Sequence, residues 1–103
     1  MGAVVEGRDI HDLSLSEWGQ VSSDLVGRVV EARILCVHAF GVGVELTAHG
    51  AYGHVNPPRV TDGRFTIEET TKHIGDVRRA VVLAADPGRQ PTLTLRPSEI
   101  PAV

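Results

Sequence analysis

The chain has 103 residues, the size of one domain, with 42% hydrophobic and 22% charged residues and a formal net charge of −3. One Trp, one Tyr and two Phe mean that a core must be built mostly from Val, Leu, Ile and Ala. The charge excludes a strongly basic nucleic-acid binder, and the lone Cys36 excludes an intrachain disulfide and fits a reducing compartment.

The first residues, M-G-A-V-V-E-G-R-D, show no signal-peptide pattern, and no apolar run approaches the ~20 residues of a membrane helix. The expected location is the cytoplasm, with no membrane contact. Residues 1–26 carry Arg8 against Glu6, Asp9, Asp12, Glu17 and Asp24, so the acidity is concentrated at the N-terminal end. Within that end, Ser14 and Glu17 have capping-box spacing, and Leu15, Trp18, Val21 and Leu25 lie near one helical face. This predicts a short helix over about residues 15–23, with Trp18 lying as an apolar plug on the rest of the protein.

From Gly27 the period changes to two. Val30, Ala32 and Ile34 alternate with Val29, Glu31 and Arg33, a half-buried strand that runs on toward Val37. H-A-F-G-V-G-V-E-L, residues 38–46, reads as a second strand with Val42, Val44 and Leu46 on one side. T-A-H-G at 47–50 is a turn, and A-Y-G-H-V-N is a third strand stopped by Pro57 and Pro58. A long connection over 57–73 holds Thr66 and Glu69, which predict another capped helical turn. V-R-R-A-V-V-L-A-A is a fourth strand, D-P-G-R at 86–89 a turn, and P-T-L-T-L-R a fifth strand ended by Pro97. Five short strands point to a small closed barrel, because closure removes open sheet edges. Its expected core is Val30, Ile34, Val42, Val44, Leu46, Val55, Val82, Leu93 and Leu95.

No catalytic constellation is legible. Glu68 and Glu69 are adjacent and point apart on a helix, and the histidines at 11, 38, 49, 54 and 73 lack metal-ligand spacing. G-V-G is not followed by the helix a phosphate loop needs, and Cys36 reads as a buried thiol. The chain is therefore read as a non-enzyme without metal or cofactor. By alternation alone Phe40 shares a face with Val42 and Val44 and belongs to the core.

Taken in order, V-G-R-V-V-E-A-R-I, A-F-G-V-G-V-E-L, G-A-Y-G-H-V-N, I-G-D-V-R-R-A-V-V-L-A-A-D-P and T-L-T-L-R resemble the S1 RNA-binding domain over about residues 25–96. The Trp-containing helix and the ending L-R-P-S-E-I look like those of short bacterial proteins made of one such domain. The resemblance implies an all-β, five-stranded antiparallel OB-fold barrel over 25–97. It leaves 1–24 as an N-terminal segment with a short helix and 98–103 as a tail. It also implies that the Phe-Gly glycine lets Phe40 face outward as a stacking platform for single-stranded RNA.

In this chain the family's second aromatic position is Gly43, its strand-ending His is Asn56, and Pro91 stands where a basic residue is common. Tyr52, His54 and Asn56 share a face by alternation and offer partial compensation. Arg33 and Arg89 complete the expected RNA-binding set Phe40, Tyr52, His54, Asn56, Arg33 and Arg89. The implied activity is weak, sequence-tolerant RNA binding. The other reading is a protein-interaction module on a barrel that has lost part of its RNA platform, with an unspecified protein partner.

Overall fold

Period-two runs of β-branched and aliphatic residues become strands, and Gly and Pro set their limits. The computed structural model describes residues 3–4, 13 and 15–101. In chain order the elements are β1 (Ala3–Val4), α1 (Leu15–Trp18), β2 (Val29–His38), β3 (Gly41–Leu46), β4 (Ala51–Val55), α2 (Ile67–Thr71), β5 (Val77–Ala84) and β6 (Thr92–Thr94). Single 3-10 turns lie at Ser23–Leu25, Pro57–Arg59 and Pro97–Glu99.

β2, β3 and β4 form an antiparallel meander, β5 pairs antiparallel with both β6 and β2, and β4 meets β6. Five strands thus close into a barrel. The expectation of purely antiparallel pairing fails at one seam, where His54 on β4 lies opposite Thr92 on β6 in parallel register. The reason is parity. Around a ring of five strands, directions cannot alternate at every junction, so one pair must run parallel. The His54 N–H donates to the Pro91 carbonyl across that seam at 2.8 Å. β5 starts opposite Arg33, and β1 continues the same edge of β2 farther on, with Val4 opposite Cys36 and Ala3 opposite Val37.

All nine expected core positions are buried in one cluster inside the barrel, with Val42, Val44, Leu46, Val55, Val82 and Leu93 fully shielded. The register of β2 against β3 breaks between Ile34 and Cys36, a bulge that leaves Leu35 extra. Ile34 and Val37 face the interior, whereas Leu35 and Cys36 face a second cluster on the outer wall. Trp18, only 1% exposed, lies in that outer cluster, with Leu13 and Tyr52 partly buried against it.

The helix expected over 15–23 stops at Trp18, because Gly19 takes φ 80° and packs closely on Ala51. The chain resumes turning only at Ser23–Leu25, where the Ser22 hydroxyl accepts from the Asp24 N–H. The expected capping partner Ser14 lies outside the described residues. The second capped turn forms as read: Thr66 accepts from the Glu69 N–H at 3.2 Å at the start of α2. At the other end of the chain, Ser98 donates from its N–H and hydroxyl to Asp62, and Arg96 donates to the same carboxylate at 3.1 Å. Glu99 pairs with Arg59 and accepts from Thr94 at 2.6 Å. Ser98 and Glu99 are therefore clasped to the barrel.

Candidate nucleic-acid interface

The outer wall of the β2–β3–β4 meander is organised in rows. One row runs Arg33, Glu45, Tyr52, and the next runs Cys36, Gly43, His54. Beyond them β2 ends at His38, opposite Gly41. The residues expected to start the second strand instead form the hairpin turn Ala39–Phe40, and β3 begins at Gly41.

Phe40 is 56% exposed. Alternation alone assigned it to the core; a turn residue has no strand parity to obey, and its ring points outward. It lies almost flat on the buried His38 imidazole, with centroids 4.6 Å apart and planes 8° apart. The His54 ring is also near, at 6.2 Å and 16°. Asn56, exposed just past β4, hydrogen-bonds the His54 ring, as does the Phe40 backbone. Burial holds the His54 imidazole below its usual value, and His38 works in the same direction. The hydrogen bonds with Asn56 and the Phe40 backbone oppose that shift.

Gly41 makes this arrangement possible. Its φ is 138°, and a Cβ there would stand 2.4 Å from the Val55 carbonyl and 2.5 Å from the His54 ring. Only glycine lets the chain turn from Phe40 into β3 with the imidazole lying across it.

Of the six expected residues, Phe40, His54 and Asn56 come together. Tyr52 shares their wall but is partly buried against the Trp18 cluster. Arg33 lies in the Tyr52 row, and its Nε is shielded from solvent with no hydrogen-bond partner among the described residues. Arg89 is exposed in the 86–89 turn, where its N–H donates to the Asp86 carbonyl, and it lines a cavity of about 200 Å³ with Gln20 and Ser22. That turn leads to Thr92, the neighbour of His54.

His38 is the member that sequence reasoning did not place. Counting by twos from Ile34 puts Cys36 and His38 inside. The signal that corrects the count is Val37, an apolar residue in the opposite phase. It requires a bulge, and the bulge turns His38 outward.

Among the described residues there is no group of three or more His, Cys, Asp or Glu placed to hold a metal, and no helix long and apolar enough to cross a membrane. No family model and no curated protein matches the chain. Among solved structures, it is similar to a multidomain protein with nucleic acid binding domains from Streptococcus pneumoniae TIGR4. The TM-score is 0.61 at 18% identity over 80% of this chain. The match spans 26% of that longer protein. At this identity the likeness establishes a shared barrel fold.

Proposed function

We propose that the chain binds single-stranded RNA without catalysis, through an OB-fold barrel of the S1 type. The observation that carries this reading is the Phe40 ring, more than half exposed and stacked on the His38 imidazole, with His54 nearby, on the barrel's outer wall. A rigid, exposed aromatic face of this kind suits base stacking, which is sequence-tolerant and contributes roughly 1–3 kcal/mol per base. Asn56 adds donor and acceptor groups for a base edge or ribose, and Arg33 and Arg89 supply cations for phosphates. The barrel shared with a protein described as having nucleic acid binding domains supports the same reading. With a net charge of −3 the phosphate contribution is small, so affinity is modest.

The test is an NMR titration with a single-stranded oligouridine at low and physiological salt. Signals of Phe40, His54 and Asn56 should shift together. Phe40→Ala should weaken binding by roughly 1–3 kcal/mol with little change in melting temperature, since the ring is exposed. Absence of any shift at millimolar RNA and low salt turns attention to the protein-interaction reading. Its supporting observation is the set of exposed apolar residues Val26, Val29, Val77 and Leu83 on the β2–β5 side.

A further inference from the structure

We propose that the cavity between α2 and the barrel binds a small amphiphilic anion, a carboxylate or phosphate monoester on a compact apolar body. The cavity holds about 180 Å³ and shares no residue with the Phe40 surface. Its apolar lining comes from Ile34 on β2, Val60 and Leu95, all buried members of the barrel core. Thr70 lines it from α2 and is buried too; its hydroxyl donates to the Thr66 carbonyl at 2.7 Å, within the helix. Around these stand Arg64, His73 and Arg78, all exposed. Arg78 shares the inward parity of Ala80 and Val82 on β5, so the strand carries a guanidinium to the barrel's end rather than to its outer wall.

The positive charge here is only partly answered. Glu69 is the one carboxylate among the described lining residues, and it pairs with Lys72 at 3.0 Å. The Asp76 carboxylate is shared, 3.0 Å from the His73 ring and 3.7 Å from the Arg78 guanidinium. Arg64 makes no hydrogen bond or ion pair among the described residues. The walls are also fixed in advance. The Ile34 N–H donates to the Asp76 carbonyl at 3.0 Å and the Gly75 N–H to the Ile34 carbonyl at 2.7 Å, tying the approach to β5 onto β2. The hold of Ser98 and Arg96 on Asp62 anchors the turn that leads to Arg64. Such preorganisation lowers the ordering cost of binding. Small-molecule sites are mostly apolar with a few placed polar groups. A guanidinium meets a carboxylate or phosphate with two parallel hydrogen bonds. A dry cavity of about 150 Å³ holds a benzene ring, so this one admits a ring or branched chain of that size beneath the charged head. A neutral compound would leave Arg64 unanswered, and a bare inorganic anion would leave the apolar lining unused.

The experiment is an NMR titration of the isotope-labelled protein with benzoate and with phenyl phosphate at neutral pH and fixed salt. Benzyl alcohol and inorganic phosphate are the comparisons. The expected result is saturable shifts of the Ile34, Val60, Thr70 and Leu95 amides with both aromatic anions, at concentrations where neither comparison compound saturates. Arg64→Gln and Arg78→Gln should each weaken both anions by about fivefold, near the most that an exposed ion pair supplies. Both side chains are exposed, so the melting temperature should hold. Arg28→Gln, at an exposed arginine just before β2, should leave affinity unchanged and so excludes a general effect of net charge. Benzyl alcohol binding as tightly as benzoate, or inorganic phosphate as tightly as phenyl phosphate, overturns the proposal. So do unchanged affinities in both cavity variants, or no saturable shift at these amides with tens of millimolar ligand. The RNA titration of the Phe40 surface is a separate measurement that none of these outcomes touches.

Discussion

Gly41 shows how one residue can be required by both fold and site. Its backbone angle lies where side chains are strained, and an added methyl would meet the Val55 carbonyl, a neighbour that cannot move aside. Gly41→Ala should therefore cost at least about 1–3 kcal/mol, read as a lower urea midpoint, and should displace the His54 ring signals. The contrast with Phe40→Ala is the useful comparison, because that change removes an exposed ring and leaves the backbone alone. At this scale the sequence was legible for the core and for Phe-Gly, but less so for histidine. The parity of Val42, Val44 and Leu46 reports burial directly, since each sits in an unbroken strand. His38 follows a bulge, where counting by twos points to the wrong face. Tyr52 was legible as outward-facing, yet its partial burial depends on Trp18, a neighbour remote in sequence.

Elements that close on local chemistry were readable, and those that end on tertiary packing were not. α2 forms where Thr66 and Glu69 predict it, because the cap needs only four consecutive residues. α1 is shorter than its apolar pattern suggests, because Gly19 must approach Ala51. What α1 supplies is Trp18, which seals Leu35 and Cys36 against the outer wall. Trp18→Ala should lower stability by roughly 3 kcal/mol, visible as a depressed melting temperature and an alkylation-reactive Cys36.

The clasp between Asp62 and Ser98 gives the fold an acid-sensitive element. Hydrogen bonds from the Ser98 side chain and backbone, joined by Arg96, hold the Asp62 carboxyl below its usual 3.8. A depressed carboxyl contributes stability above its unfolded value and loses it as pH falls through the folded one. His54 acts earlier and in the same direction. Its folded value lies below the usual 6.5, so the unfolded chain binds more protons just under that pH and stability declines from there. Urea midpoints measured against pH should fall in two steps, the upper one absent in His54→Gln.

For the molecule as a whole, parity makes the β4–β6 seam the odd junction, and distance along the chain makes β2–β5 the demanding one, since Val29 must find Val81. The β2–β3–β4 meander needs only neighbouring hairpins. Topologies dominated by such distant pairings fold in roughly milliseconds to seconds, with loop closure as the slow event. The order of assembly follows. Val44→Ala, within the meander, should chiefly slow folding, and Val82→Ala, on the closing strand, should chiefly speed unfolding, as stopped-flow chevrons would show. Phe40, Gly41, His38, His54 and Asn56 all belong to the early part. The surface around Phe40 is therefore expected to take shape during folding before the barrel that carries it has shut.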